Sequence, residues 1–294
     1  MTTTPNQTAD PLAGTRRLLE CMRRLRGEQG CPWDKAQTHQ SLLPYLLEEA
    51  HELLEVVETA RQQPPPNEPL QEELGDVLLQ VVFHCQIAAE RHAFDFDTVA
   101  DQLATKLEHR HPHVFGATPG TLEDPEAVRQ QWHQQKMAKR SSPFEGIPRQ
   151  LPALQRAKAV GERAARGGFE WRHSDELWAK LVEETKELQA ELPGETARPL
   201  RDWPNAEAPA VQKQKAAAEL ELGDLLFMMV QLARWYGLDP EAALRKATRK
   251  MENRYGWIQE EMRRQGLPEG TLIPEKWEAL WAVAKQKEAE STED

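Results

Sequence analysis

Closely spaced carboxylates are the residues of this sequence best suited to chemistry. Glu184 and Glu187 are three residues apart, and so are Glu221 and Asp224. Residues at that spacing share one face of a helix, so each pair can point at a common ligand. Four carboxylates held together raise one another's pKa values, unless a hard divalent cation lies between them. Because the set offers only oxygen ligands, without His or Cys, it favours Mg²⁺, with Mn²⁺ as a possible substitute.

The same acidic arrangement occurs a second time, earlier in the chain. The earlier copy contains Glu49, Glu52, Glu73 and Asp76. A further glutamate precedes the first pair of each copy, Glu48 in one and Glu183 in the other. The difference in residue number between equivalent positions of the two copies changes across a proline-rich loop. This is expected of a duplicated module whose insertions fall in loops. One such pair is usually a solvated acidic face, whereas two ordered copies indicate a site.

Basic and aromatic residues accompany the carboxylates in both copies. Lys250 and Arg254 lie four residues apart on one helical face and supply positive charge for a polyphosphate. Lys285 follows Trp281 by one turn, and that indole can either stack on a base or pack in the core. The corresponding residues of the earlier copy are Lys106, Arg110, Trp132 and Lys136.

Each copy also has a glycine directly before its last carboxylate, Gly75 before Asp76 and Gly223 before Asp224. A glycine in a helix interior costs about 1 kcal/mol relative to alanine. Its repetition therefore predicts a close approach of another helix or of the metal site.

Composition and charge exclude several function classes. The chain has 294 residues, 37 Lys and Arg against 48 Asp and Glu, and a net charge of −11. This balance argues against a basic surface for nucleic acid, although carboxylates can meet phosphates through a divalent cation. No apolar run reaches the roughly 18 residues of a membrane span, and the N-terminus lacks the layout of a secretion signal. We therefore expect a cytoplasmic protein that binds neither membrane nor nucleic acid.

The elements that position these residues are predicted to be helices. Apolar residues recur at helical spacing nearly everywhere, and no convincing run alternates with the period of a strand. In the first half the helices are marked at about 18–25, 42–57, 70–82 and 97–110, with another from Asp124. In the second half they are marked from 153 and at about 174–191, 211–236, 239–265 and 275–289. The sequence predicts an all-α fold of two tandem helical bundles.

The two bundles are predicted to be separate modules, because a stretch with three prolines and no apolar helical face lies between them. The predicted divisions are a disordered tail at 1–11, an N-terminal module at 12–138, a linker at 139–152, a C-terminal module at 153–289 and a short tail at 290–294.

The motifs together resemble the MazG family of all-α nucleoside triphosphate pyrophosphohydrolases, in its two-copy form. They are EExxE, ExxD, KxxxR and WxxxK, and the stretches GCPWDKAQTH, ELGDVLLQVVF, KLEHRHPHVF and GFEW are also similar to that family. The resemblance covers nearly everything from residue 12 to residue 289. It implies Mg²⁺-dependent hydrolysis of a ribo- or deoxynucleoside triphosphate to the monophosphate and pyrophosphate, carried out by a homodimer.

The resemblance also implies roles for individual residues. The carboxylates of both copies correspond to the family's metal ligands, and the Lys, Arg and Trp residues correspond to its substrate-contacting positions. The C-terminal module is expected to carry most of the hydrolysis, and the N-terminal module to contribute to assembly or regulation. Our mechanistic hypothesis is metal-assisted attack of water on the α-phosphorus, with Glu183 or Glu48 as the base or as the group that holds the water. The expected catalytic set is Glu183, Glu184, Glu187, Glu221 and Asp224.

Two other functions are compatible with parts of the sequence. Glu48-x-x-His51 and Glu108-x-x-His111 fit a di-iron carboxylate bundle, but the second copy has neither histidine. The other alternative is a helical scaffold or nucleotide-sensing module that keeps its carboxylates for binding alone. Metal-dependent release of pyrophosphate from a nucleoside triphosphate distinguishes an enzyme from a scaffold or a sensor.

Overall fold

The chain is helical throughout the part that the structure describes. The computed structural model describes residues 10–60, 64–116, 124, 128, 142–194, 207–268, 270 and 273–293. Within them the regular elements are helices and none is a strand, so the predicted all-α class is confirmed. The chain divides into two compact units, a first unit at Met1–Trp132 and a second unit at His133–Asp294.

The first unit is organised around one long central helix, α4, which packs against α1, α3 and α5. Its core contains Met22 of α1, Leu42 at the start of α3 and Phe83 of α4. The short helix α6 packs against α5. The described helices of this unit are α1 (Ala13–Leu25), α2 (Pro32–Ala36), α3 (Leu43–Thr59), α4 (Asn67–Glu90), α5 (Phe96–Arg110) and α6 (Pro112–Phe115).

The second unit is organised in the same way around α9, which packs against α7, α8 and α10. A second core joins α10 to α11 through Ile258, Met262 and Ala284, with several tryptophans against it. The described helices of this unit are α7 (Ala153–Arg166), α8 (Ser174–Glu191), α9 (Pro209–Trp235), α10 (Pro240–Arg264) and α11 (Pro274–Glu293).

An aspartate cap begins an equivalent helix in each unit. Asp95 caps α5 by accepting a hydrogen bond from the Thr98 backbone N–H at 2.9 Å. Asp239 caps α10 in the same way, accepting from the Ala242 backbone N–H at 2.9 Å. An aspartate at this position satisfies a backbone donor that the first helical turn leaves unpaired. The helix that the sequence predicts from Asp124 falls largely outside the described residues.

Large apolar side chains are exposed on the helix pairs that carry the carboxylates. Leu47 is 62% exposed on α3, and Val182 is 53% exposed on α8. The other exposed apolar residues of these pairs include Leu43, Leu74, Leu78, Trp178, Leu222 and Leu226. Among the described residues, no helix combines the length and the apolar character that crossing a bilayer requires.

Candidate metal and nucleotide site

Three acidic residues of the second unit converge where α8 packs against α9. One carboxylate oxygen from each of Glu184, Glu221 and Asp224 lies within 4.8 Å of the other two. Glu184 is only 6% exposed, Glu221 is half-buried and Asp224 is exposed. The cluster therefore runs from a buried carboxylate to solvent, so a cation there can keep open positions for water or phosphate oxygens.

The first unit holds a matching cluster where α3 packs against α4. One carboxylate oxygen from each of Glu49, Glu52 and Glu73 lies within 4.8 Å of the others. Glu49 and Glu73 are half-buried, and Glu52 is exposed. The Oε2 atom of Glu73 is buried and has no hydrogen-bond partner among the described residues. A buried carboxylate oxygen without a partner fits a cation ligand.

Burial and mutual repulsion act on the carboxylates of the first unit. Burial raises the pKa of Glu49, and the charges of Asp76 and Glu52 raise it further. Burial likewise raises the pKa of Glu73, again with Glu52 and Asp76 adding to the effect. Asp76, the fourth predicted ligand, therefore lies within electrostatic reach although it is not in the 4.8 Å cluster. A divalent cation would relieve this repulsion.

A lysine changes the electrostatics of the second unit. The Lys180 ammonium lies 2.8 Å from Oε1 of Glu184 and 3.0 Å from Oε1 of Glu183. These hydrogen bonds raise the pKa of Lys180 above its ordinary range. Burial raises the pKa of Glu187, Lys180 partly offsets that increase, and Glu184 adds to it. The second cluster is therefore partly neutralised by the chain itself, and Tyr45 stands at the corresponding position of the first unit.

A groove of about 360 Å³ adjoins the second cluster through Lys180. Two hydrogen bonds of 2.7 Å join the Arg234 guanidinium to the Glu170 carboxylate, and its Nε donates to Oε1 of Gln231 at 2.9 Å. The groove thus has a fixed polar edge beside an aromatic wall. Its lining residues are Gly161, Ala164, Phe169, Glu170, Trp171, Lys180, Phe227, Met228, Gln231 and Arg234.

Packed apolar side chains occupy the corresponding positions of the first unit. Phe83 stands where Gln231 stands in the second unit, and it packs in the core with Met22. Tyr45, the counterpart of Lys180, contacts Trp33 edge-on with ring centroids 5.8 Å apart. The two units therefore share a carboxylate cluster but differ in what lies next to it.

The predicted basic residues of the second unit lie on α10 and α11. Arg254 forms an ion pair with Glu288, with Nη2 2.6 Å from the carboxylate oxygen, and its guanidinium lies 5.4 Å from the ring centroid of Trp281. Trp281 also packs against the α10–α11 core. Lys250 and Lys285 are exposed. The tryptophan is thus a packing residue in this structure, and Arg254 is bound to a carboxylate on the neighbouring helix.

Comparison with known proteins decides the family. The sequence profile of the MazG nucleotide pyrophosphohydrolase domain matches twice, at residues 37–115 and 172–258. The nucleoside triphosphate pyrophosphohydrolase/pyrophosphatase MazG of Thermotoga maritima is 41% identical over 272 residues, 91% of this chain and 94% of that protein. The chain belongs to the MazG family.

Other MazG relatives agree with this assignment. The nucleoside triphosphate pyrophosphohydrolase of Escherichia coli K12 is 38% identical over 278 residues, 92% of this chain and 97% of that protein. The nucleoside triphosphate pyrophosphohydrolase of Mycobacterium tuberculosis is 42% identical over 142 residues, 47% of this chain and 41% of that protein. The predicted family and enzyme class, a hydrolase of phosphoric anhydrides, are confirmed.

The structure brings six of the eight predicted MazG metal ligands into two clusters of three. Glu187 and Asp76 are outside these clusters. The charge of Asp76 raises the pKa of Glu49, and the charge of Glu184 raises the pKa of Glu187. In the first unit Lys106 is exposed and Arg110 is half-buried. Trp132 lies, with Lys136, outside the described residues. The catalytic, metal-binding and substrate-binding roles of all these residues stay predictions.

Of the two alternatives predicted at these glycines, the close approach of another helix is wrong for the described part of this chain, whereas the approach of the metal site stays a prediction. A Cβ added to Gly75 or to Gly223 would meet no described atom within 4 Å outside its own helical turn. Both glycines are exposed. The close helix contact of the second unit is instead at Gly161, where an added Cβ would lie 1.9 Å from Oε1 of Gln231.

Sequence reasoning missed Lys180 and the groove. Lys180 precedes Glu184 by one helical turn, and that spacing is a signal for an ion pair. Comparing the copies drew attention to shared residues, whereas Lys180 is one of the positions where they differ. The groove depends on the loop that carries Phe169 and Glu170, and nothing in the local sequence of that loop gives its path over α9.

Proposed function

We propose that this MazG protein hydrolyses nucleoside triphosphates to monophosphates and pyrophosphate, and that its second unit performs most of the hydrolysis. The family and the names of the relatives support the activity. One observation carries the choice of unit: the cluster of Glu184, Glu221 and Asp224 adjoins an open groove. In the first unit, Phe83 and Tyr45 pack at two of the positions whose counterparts line that groove.

The donor set fits Mg²⁺ or Mn²⁺. Each described cluster consists of carboxylate oxygens, which hard divalent cations prefer, with neither His nor Cys among them. In the second unit Glu184, Glu221 and Asp224 would hold the cation, with Glu187 close enough to contribute. When bound, the cation would neutralise charge on the leaving pyrophosphate and acidify a water molecule.

The chain's own residues would orient the substrate and move the proton. Glu183 is a carboxylate next to the cluster, and its side chain is 56% exposed, so it can hold a water and accept its proton. That water attacks the α-phosphorus, the α–β anhydride bond breaks and pyrophosphate leaves. Lys250 and Lys285, exposed on α10 and α11, supply positive charge that attracts a triphosphate.

The nucleoside would lie in the groove beside Lys180. Phe169 and Trp171 offer aromatic surface on which a base can stack, and Phe169 is 85% exposed. Glu170 and Arg234 hold each other at the groove edge, where they can hydrogen-bond the polar edge of a base or a sugar hydroxyl. A mainly apolar groove with a few fixed polar groups is typical of small-molecule sites.

The working form would be a homodimer. The exposed apolar side chains of α3–α4 and α8–α9, such as Leu47 and Val182, are too many for a monomer that leaves them in water. A second copy, which offers the same surfaces, would cover them by symmetry. Light scattering should then give twice the chain mass of 33.6 kDa, and a monomeric mass would reject the dimer.

The activity is tested by measuring pyrophosphate release from a panel of ribo- and deoxynucleoside triphosphates, with and without Mg²⁺. We expect metal-dependent release that Glu184→Gln abolishes and that its matched variant in the first unit, Glu49→Gln, retains in part. No release from any triphosphate would reject the hydrolase. The reverse order of the two variants would move the catalytic site to the first unit.

A further inference from the structure

We propose that Lys180 is an internal counter-ion that a divalent cation must displace, and that this displacement couples cation binding to nucleotide binding in the second unit. The inference rests on the proposed function, because it assigns a role to a residue beside the proposed metal ligands. Its basis is the ammonium of Lys180, which contacts Glu184 at 2.8 Å and Glu183 at 3.0 Å.

The position of Lys180 makes displacement necessary. Glu184 belongs to the three-carboxylate cluster, and its side chain is only 8% exposed, whereas that of Lys180 is 33% exposed. A buried carboxylate that already holds an ammonium has little capacity for a second cation nearby. Two positive charges a few ångströms apart repel strongly where water is partly excluded. A cation that binds Glu184 therefore drives the Lys180 ammonium outward.

The groove provides a place for the displaced ammonium. Lys180 lines the groove as well as the cluster, so a short movement of its flexible side chain leaves it facing the groove. A nucleotide in the groove brings negatively charged phosphates, and the Lys180 ammonium can pair with a phosphate in place of the carboxylate that it has left. Cation and nucleotide then favour each other's binding, and by thermodynamic linkage the effect is equal in both directions.

The first unit provides an internal comparison. Tyr45 occupies the position of Lys180, and it contacts Trp33 in place of a carboxylate. One carboxylate oxygen from each of Glu49, Glu52 and Glu73 lies within 4.8 Å of the others in that cluster. Within the described part of the chain no ion pair involves Glu49, Glu52 or Glu73, so a cation that enters there displaces no described lysine. The first cluster should therefore bind a divalent cation without a nucleotide.

The test measures Mn²⁺ binding to the full-length chain, using the electron paramagnetic resonance signal of free Mn²⁺ to determine how much remains unbound. A parent carrying Glu49→Gln and Glu73→Gln removes binding by the first cluster. In this parent, Lys180→Gln should bind Mn²⁺ about tenfold more tightly than the parent without nucleotide, as expected from the loss of a competing charge-assisted contact. An α,β-methylene nucleoside triphosphate should tighten Mn²⁺ binding in the parent and do so much less in Lys180→Gln.

Two controls isolate the contact from net charge. Lys186→Gln removes the same charge from an exposed position on α8 and should leave Mn²⁺ affinity within twofold of the parent. Lys180→Arg keeps a competing cation and should behave like the parent. Lys180→Gln with unchanged or weaker Mn²⁺ binding would overturn the coupling, even if the wild-type chain releases pyrophosphate. If the chain hydrolyses no triphosphate, tighter Mn²⁺ binding in Lys180→Gln together with its smaller nucleotide effect would uphold the coupling and reject only the proposed hydrolysis.

Discussion

The two units of this MazG protein place the same carboxylates on equivalent helices and surround them differently. In the first unit, Oε2 of Glu73 is buried and has no partner in the described part of the chain, and Tyr45 packs against Trp33. In the second unit, Lys180 pairs with the cluster and a groove opens beside it. The difference shows that one repeated framework can surround equivalent carboxylates with different side chains. Tyr45 corresponds to Lys180, and Phe83 corresponds to Gln231.

The largest effect should come from removing a ligand in one unit at a time. Glu221→Gln takes a carboxylate from the second cluster, and Glu73→Gln takes its counterpart from the first. We expect the first change to lower kcat/KM for pyrophosphate release by about 100-fold or more, since it weakens charge stabilisation at the reacting phosphate. The second should retain at least a third of the wild-type activity. Equal losses of kcat/KM in the two variants would show that both units hydrolyse and would reject the functional difference proposed between them.

The next effect concerns two arginines, one in each unit, whose side chains are largely covered. Arg26, whose side chain is 7% exposed, pairs with Glu90 at 2.8 Å and donates to the backbone of the segment between α2 and α3. Arg234, 12% exposed, pairs with Glu170 at the groove edge. Because removing one partner leaves the other charge poorly compensated, each Arg→Ala change should lower the free energy of unfolding by about 2 kcal/mol.

Kinetics should separate the two arginine variants. Arg234→Ala should also raise the KM for nucleotide about tenfold, because it removes a groove wall, and Arg26→Ala should leave KM within twofold. Urea unfolding and steady-state assays on the same preparations check both parts. An increase in KM with Arg26→Ala as large as with Arg234→Ala would contradict the placement of the nucleoside groove in the second unit.

Glycine substitutions should give effects of about 1 kcal/mol with opposite signs. Gly75→Ala fills open space on a helix and should stabilise the first unit by up to about 1 kcal/mol. Gly161→Ala would place a Cβ against the side chain of Gln231, which is buried and hydrogen-bonded, and should destabilise the second unit by about 1 kcal/mol or more. Denaturant midpoints compare the two. A destabilising Gly75→Ala would indicate that a second copy approaches α4 at this position.

The smallest effect is a pH-dependent thermal shift in the first unit. The folded-state pKa of Glu73 is raised above its ordinary 4.5, so the folded state binds this proton more tightly. Without metal, this group's contribution to stability therefore falls as pH rises from about 4.5 through the folded pKa. Mg²⁺ at its Kd should raise Tm by about 2 °C at pH 7.5 and by less at pH 5.

Glu73→Gln removes the titrating group and tests that pH effect. The variant should have a higher metal-free Tm than wild type at pH 7.5 and little difference at pH 4.5. Differential scanning calorimetry gives the Tm of both proteins at each pH. Because the two share all other carboxylates, the effects of those groups cancel in the difference between the two Tm values. If the Tm of the wild type rises relative to the Tm of Glu73→Gln as pH increases, then the negative charge of Glu73 does not destabilise the first cluster.

Local signals were sufficient for the helices and for the members of the clusters. The sequence places one helix at about 174–191, and the structure has α8 at Ser174–Glu191. Apolar periodicity and capping residues act within a few turns, so they are readable without tertiary contacts. The i, i+3 spacing likewise indicated which carboxylates share a face, and six of the eight converge.

Longer-range geometry was not readable from the sequence. The crossing of α8 and α9 decides which three of the four carboxylates meet, and they are one from α8 and two from α9. In the first unit, two come from α3 and one from α4. The pairing of Arg254 with Glu288 joins residues 34 positions apart on two helices. The path of the loop that lines the groove is a third case. Each depends on packing between elements and not on any one of them.

In the proposed site, the carboxylates of α8 and α9 hold a hard cation that receives a triphosphate. The most direct measurement is a crystal structure of the chain with Mn²⁺ and an α,β-methylene nucleoside triphosphate, recorded at a wavelength where Mn²⁺ scatters anomalously. We expect an anomalous peak between Glu184, Glu221 and Asp224, in contact with phosphate oxygens. Bound nucleotide with no anomalous peak at these three residues would contradict it.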